Sequence, residues 1–281
     1  MREHPVFPTG FAVDHVVLTV NDPEKVAAFY QKTVGLEGHG RDGETMRLGA
    51  GGTSLLELRQ DRHARLRSSR EAGLFHTAFL LPSRSALACW LDHVIEQKLP
   101  VVGASNHDVS EAVYLSDPEG NGVEIYADRP ASTWIWQDGT VRMSTAALDI
   151  PALLGQARGA RWDGAPHGTR VGHVHLQVGT IEAAEDFYAR KFGLDITCRY
   201  PGGTFYAADG YHHHIATNIW NSRGAGQHRF PSTGLAEIAL SDFRPPAAGL
   251  TSVPGSNPST NEVTVADPWG TPIRLHTPEA L

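Results

Sequence analysis

Residues 13–36 read VDHVVLTVNDPEKVAAFYQKTVGL, and residues 171–194 read VGHVHLQVGTIEAAEDFYARKFGL. The two stretches align without a gap. His15 falls on His173, Phe29 on Phe187, Tyr30 on Tyr188 and Gly35 on Gly193. Each begins with the alternation of a half-buried strand, continues at helical spacing and stops at a glycine. A strand–helix–turn unit therefore occurs twice, and internal repetition of this kind sets the architecture.

A second level of repetition lies inside each half. GLFHTAFL, from Gly73 to Leu80, reads as another strand. It is followed by an amphipathic helix over Ser85–Gln97, with Leu87, Leu91, Val94 and Ile95 on one face. GLAEIAL, from Gly234 to Leu240, is its counterpart in the second half. Each half then closes with a hairpin, Tyr114–Tyr126 around DPEGNG and Val263–His276 around DPWGTP. The fold class expected is α+β. Four βαβββ modules pair into two domains, each a curved mixed sheet around a cup. The expected boundaries are 1–129 for the first domain, 130–168 for a linker with a short helix near Ala146–Ala157, and 169–281 for the second domain.

Composition narrows the function. The chain has 281 residues, 41% hydrophobic and 20% charged, and a net charge of −7. That is ordinary globular composition, with no basic surface for nucleic acid and no polybasic membrane patch. No apolar run is long enough to span a bilayer. Cys89 and Cys198 lack CxxC spacing and read as buried thiols of a reducing compartment. A cytoplasmic location is expected, and the first ten residues show no signal-peptide pattern. Module-paired chains often associate, which admits a homo-oligomer.

Chemistry gathers in the first half. His15 opens module one, His76 opens module two, and Glu124 lies on the closing strand of module two. If the sheets curl, alternation can turn all three into one cup. Two imidazoles and one carboxylate make the facial set that suits Fe(II), leaving adjacent positions for substrate and dioxygen. A structural Zn(II) site would usually be closed by a fourth protein ligand.

The modules, the DPEGNGVEIYADRP hairpin and the DGYHHHIATNIW segment (209–220) resemble catechol 2,3-dioxygenase-type, or type I extradiol, proteins of the vicinal oxygen chelate superfamily. The resemblance covers nearly the whole chain. It implies an oxidoreductase that cleaves a catechol ring beside its two hydroxyls and inserts both atoms of dioxygen. Its ligands would be His15, His76 and Glu124. Its metal would be Fe(II), ahead of Mn(II), Ni(II) or Zn(II). It further implies Tyr114 as hydrogen-bond partner of the substrate and His107 as acid/base, with His63 a weaker candidate for that role. The better-known two-domain members carry their metal in the C-terminal domain. Here that half offers His173, then Glu237 and Arg274 at the positions matching His76 and Glu124. An arginine repels a cation, so the first half is expected to hold the ion.

Two other readings stay open. Glu57 could supply a fourth corner beside His15, His76 and Glu124, a set resembling glyoxalase I, which uses Ni(II) or Zn(II) for isomerisation without dioxygen. Metal-free binding proteins also share the fold, which does not decide among these activities. His173, His214 and Glu237 are either a second site or its relic.

Overall fold

The computed structural model describes residues 10–242 and 262–276. Module one contains β1 (Phe11–Val20), α1 (Pro23–Phe29), β2 (Glu37–Asp42), β3 (Thr45–Ala50) and β4 (Thr53–Gln60). Module two contains β5 (Gly73–Leu80), α2 (Arg84–Glu96), β6 (Gly103–Asn106), β7 (Ser110–Ser116) and β8 (Gly122–Asp128). Three short strands, β9 (Trp136–Gln137), β10 (Thr140–Val141) and β11 (Ala146–Ala147), and α3 (Ile150–Leu154) form the connection. Module three contains β12 (Arg170–Gln177), α4 (Ile181–Glu185), β13 (Asp195–Tyr200), β14 (Gly203–Ala207) and β15 (Ile215–Asn218). Module four contributes β16 (Gly234–Asp242), β17 (Glu262–Ala266) and β18 (Pro272–His276). The helix expected over 146–157 is confined to α3, where the Asp149 side chain accepts the Ala152 N–H.

Local chemistry explains the repeated unit. Asp22 caps α1 by accepting the Lys25 N–H, with proline in the first turn; Thr180 does the same for Ala183 in α4. Each helix then widens by one residue per turn. The Gly35 N–H bonds the Tyr30 carbonyl at 3.0 Å, and the Phe192 N–H bonds the Phe187 carbonyl at 2.8 Å. Gly35 ends the turn at φ +80°, a left-handed conformation that suits glycine. The two wide turns place Tyr30 and Tyr188 inward. The Tyr30 hydroxyl lies 3.5 Å from Asp117, and that of Tyr188 lies 3.1 Å from Asp267, the aspartates of the two DPxG turns.

Those hydroxyl contacts stay within a sequence half, but the sheets do not. Strands run β17-β18-β16-β1-β4-β3-β2 in one sheet and β11-β6-β7-β8-β5-β12-β15-β14-β13 in the other. Module one thus shares a sheet with module four, and module two with module three. The sheets do not follow the linear division at 129 and 169. Each is sewn together by an antiparallel seam, β1 with β16 and β5 with β12. A continuous apolar cluster includes Val16 and Leu56 of one sheet, Phe79 and Val123 of the other, and Trp90 of α2. Trp90 is fully buried and donates its indole N–H to the Thr33 carbonyl at 2.7 Å. Truncating it to alanine removes that bond and leaves a cavity, a loss of about 3–5 kcal/mol. Cys89 and Cys198 are free and buried.

Candidate active site

Register in the nine-stranded sheet sets three donors side by side. His173 on β12 is opposite Ala78 on β5, and Ala78 is beside Glu124 on β8. His76 lies two residues before Ala78, on the same face of its strand. His76 Nε2 is 2.8 Å from Glu124 Oε2, and His173 Nε2 is 3.3 Å from the same oxygen. One donor atom from each residue lies within 4.8 Å of the others, and all three residues are buried. Burial opposes ionisation of Glu124, but His173 and His76 beside it hold its carboxyl well below the usual carboxylate range. Burial pushes His173 down to about 4, against the pull of Glu124. Near neutral pH the cluster is a carboxylate facing a neutral His173 imidazole, the protonation state a metal ion requires of its ligands.

The donor set fits a cation. His76 Nε2 is shielded from solvent and close to the carboxylate, yet no hydrogen bond of acceptable geometry satisfies it. Two imidazole nitrogens and one carboxylate oxygen converging in this way suit a divalent transition metal.

His15 does not join this cluster, contrary to the sequence-based expectation. It lies on β1 in the seven-stranded sheet, where its Nε2 is 3.1 Å from Arg274 and 4.0 Å from Glu57. The reason is the pairing of modules two and three, which brings His173 to His76 and Glu124. Glu57 lies with His15, engaged by Arg47 at 3.0 Å. It therefore cannot be a fourth corner for His76 and Glu124. The equivalent corner of their cup is Ala216, in register between His175 and Phe205. The strand register equates Glu57, beside Val17, with Ala216, beside His175. His214 packs edge-on against Phe11 and tilted over Tyr211, while Glu237 pairs with Arg274 in the other sheet. The proposed second set of His173, His214 and Glu237 is therefore dispersed.

A cavity of about 470 Å³ opens over the three donors. His107 and Tyr114, expected from the resemblance, both lie on its wall. Tyr114 is directly opposite Glu124 across the hairpin. Its hydroxyl is 2.6 Å from His107 Nε2, and His107 Nδ1 is 2.7 Å from the Ser144 carbonyl. The carbonyl can only accept, so Nδ1 carries the proton and Nε2 of the neutral ring accepts from Tyr114. Burial, with Glu124 nearby, pushes the Tyr114 hydroxyl well above its ordinary range, so it remains a donor. His63 is exposed in a turn, where its backbone N–H bonds Asp61.

One wall residue escaped the sequence reading. His213 faces the cavity with its ring 4.1 Å from that of His173. Its Nδ1 is 2.7 Å from His212 Nδ1, and His212 Nε2 is 2.8 Å from Asp128 Oδ1. The Asp128 carboxylate fixes the His212 proton on Nε2. His212 Nδ1 then accepts from His213 Nδ1–H, which leaves the lone pair of His213 on Nε2. Burial also pushes His213 well below its ordinary range, favouring the neutral ring. Simple alternation from a strand would have missed it, because the regular strand starts only at Ile215.

Comparison with known proteins agrees with this architecture. Residues 12–125 and 170–275 match the family described as Glyoxalase/Bleomycin resistance protein/Dioxygenase superfamily. The chain belongs to that superfamily. It is 39% identical over 228 residues to the catechol-2,3-dioxygenase of Bacillus subtilis (strain 168), covering 79% of this chain and 80% of the relative. Among solved structures, a putative dioxygenase from Bacillus subtilis subsp. subtilis str. 168 superposes with a TM-score of 0.63 at 15% identity, over 96% of this chain and 86% of that one. Glyoxalase I from Zea mays gives a TM-score of 0.54 at 13% identity, over 95% and 92%. At those identities the solved structures speak for the superfamily fold. No helix among the described residues is long and apolar enough to cross a membrane.

Proposed function

We propose that the chain is an Fe(II)-dependent extradiol dioxygenase acting on a catechol-type aromatic, with His76, Glu124 and His173 as the metal ligands. The observation that carries this reading is the three-donor face with Ala216 at the fourth corner. A methyl group there supplies no ligand, so positions stay open for two catechol oxygens and dioxygen. The named relative supports the same reaction class. The glyoxalase-type alternative relied on a fourth carboxylate from Glu57, which lies in the other sheet.

Bound iron would supply a common coordination point that acidifies the catechol hydroxyls and brings dioxygen beside the ring. The chain's own residues do the rest. His213 Nε2, held as a lone-pair acceptor by His212 and Asp128, accepts a hydroxyl proton and can return it to a departing oxygen. The Tyr114 hydroxyl, whose proton goes to His107 Nε2, can redirect that O–H to a substrate oxygen that gains negative charge. Phe75, Phe205 and Trp220 line the cavity and exclude water from the ring.

Protein reconstituted with Fe(II) under nitrogen is expected to consume dioxygen when given catechols and to form a visible ring-fission product. Isomerisation of a glutathione–methylglyoxal adduct under nitrogen, without dioxygen uptake on catechols, would overturn the proposal.

A further inference from the structure

At the end of the cavity where β5 begins lies a guanidinium that makes no ion pair among the described residues. Arg67 lines the cavity, and its Nη1 is shielded from solvent without a hydrogen-bond partner. Arg67 is half-buried, and a shielded guanidinium nitrogen without a partner costs stability unless a ligand compensates it. The carboxylates nearest in effect are Asp117 and Glu71, and both are engaged elsewhere. Asp117 accepts from Asn121, Glu119 and Tyr30, while Glu71 takes Arg65 and the Ser68 N–H. The neighbouring amides are committed too. Gln177 donates to the Ser69 and Glu71 carbonyls and accepts from Asn221.

The arginine is also held in place. Its backbone N–H bonds Thr233 Oγ1, and the Thr233 N–H bonds the Arg65 carbonyl. Its stem passes over two strand-opening glycines. A Cβ at Gly234 would meet Arg67 Cδ at 2.6 Å, and one at Gly73 would lie 3.4 Å from Nη1. Both glycines have positive φ, which disfavours a larger residue, and at Gly234 a side chain would also collide with the arginine stem.

The ligand cluster lies at a fixed remove. From Gly73 to His76 is three residues of strand, roughly 10 Å. The intervening wall is aromatic, with Phe75 and Trp220 rings 5.5 Å apart. A cavity of about 470 Å³ holds several times the bulk of one hydroxylated ring.

Resting on the dioxygenase reading, we propose that Arg67 receives an anionic group at the far end of the substrate. The preferred substrate is then a catechol carrying a short side chain that ends in a carboxylate. The ring's hydroxyls face His76, Glu124 and His173, the side chain crosses the aromatic wall, and the carboxylate pairs with the guanidinium.

The test compares acids with their uncharged isosteres. Dioxygen uptake by iron-loaded enzyme is measured with 3-(2,3-dihydroxyphenyl)propanoate and 3,4-dihydroxyphenylacetate against 3-propylcatechol and 4-ethylcatechol. The better acid is expected to exceed its alkyl isostere at least 10-fold in kcat/KM, with the difference in KM. Arg67→Met brings that ratio toward one, and Arg67→Lys retains part of it. Binding under nitrogen, followed by quenching of tryptophan fluorescence, should show the same preference in Kd. A wild-type ratio near one, or a ratio that Arg67→Met leaves intact, overturns the assignment of Arg67. If no catechol of either kind is cleaved, the dioxygenase reading falls instead, and the binding comparison still decides whether Arg67 selects a carboxylate.

Discussion

The molecule contains the same cup twice, and the two differ at the positions that matter for a cation. In the nine-stranded sheet the row His173–Ala78–Glu124 crosses β12, β5 and β8, with His76 two residues from Ala78. In the seven-stranded sheet the row His15–Ala239–Arg274 crosses β1, β16 and β18, with Glu237 two residues from Ala239. One carboxylate has become a guanidinium, and one imidazole a carboxylate. Arg274 then reaches Glu237 at 2.9 Å, Glu262 at 3.3 Å and His15 at 3.1 Å. The positive charge that the first cup would take from a metal, the second carries on its own chain. A duplicated scaffold can therefore keep its shape while two substitutions reverse the charge pattern of one cup.

The sharpest way to break this comparison is to remove the distinguishing carboxylate. Glu124→Gln keeps the volume and deletes the charge, and iron affinity is expected to fall by about 100-fold or more, since even outer partners of a metal site are worth 10–100-fold. Ring-fission activity falls with it. His15→Gln, in the other cup, retains wild-type iron content. Metal analysis of both variants after reconstitution decides it: iron lost from the His15 variant and kept by the Glu124 variant reverses the assignment of the cups.

A loss of rate without loss of metal is expected at His213. His213→Gln removes the base while leaving the three ligands, so kcat should drop about 10²–10⁴-fold, the usual contribution of general acid–base catalysis. Iron content stays at the wild-type level. An unchanged kcat under substrate saturation would show that the Asp128–His212–His213 chain has no part in proton transfer.

Acid should next distinguish the cups through stability. His173 titrates at about 4 in the fold, below its ordinary 6.5, because burial disfavours the imidazolium. Between those values the unfolded chain binds more protons, so stability falls as pH falls from about 6.5 toward 4. Glu124, held low by its two histidines, acts in the same direction once the pH drops below the ordinary carboxylate range. His173 alone accounts for about 3 kcal/mol across that window. Thermal melts of metal-free protein from pH 7 to 4 should show the slope, and His173→Gln should flatten it. A melting temperature that stays constant over this range would remove the argument.

How much of this was legible in the sequence follows from how local each feature is. The strand–helix–turn unit is written in residues a few positions apart: Asp22 and Thr180 at the caps, Gly35 at the stop, DPEGNG in the hairpin. His76 and Glu124 belong to one module, so their meeting depended only on two neighbouring strands. The partner of those strands was a different matter. β1 and β12 carry nearly the same pattern, and either could meet β5 as far as local chemistry goes. The pairing is decided by how whole modules fit over more than a hundred residues. His15 was preferred to His173 because Glu237 and Arg274 made the second half unfit for a cation, which assumed that each cup lies within one half of the sequence. A usable signal existed, because β12 bears a second inward histidine, His175, where β1 has Val17. His213 was hidden for the opposite reason. Its segment departs from strand geometry just before Ile215, so period-two alternation counted back from the strand does not place it in the cavity.

The smallest expected effect concerns the cup that carries Arg274. Arg274 and Glu237 are partly shielded, with side-chain exposures of 27% and 14%. Arg274→Met removes the bonds to Glu237, Glu262 and His15. Arg59 remains 3.8 Å from Glu57 and 3.9 Å from Glu237, so the carboxylates keep some compensation. The loss should therefore be smaller than for a fully buried ion pair, about 2 kcal/mol, which lowers the melting temperature by about 3 °C in a chain of this size. Iron content and kcat/KM per folded molecule should stay at wild-type values, because the guanidinium lies in the other sheet from the ligands. A thermal shift without a change in iron or kinetics would make Arg274 a structural stand-in for the cation. A kinetic change without a thermal shift would mean that the two cups communicate, and that the second has kept a part in the chemistry of the first.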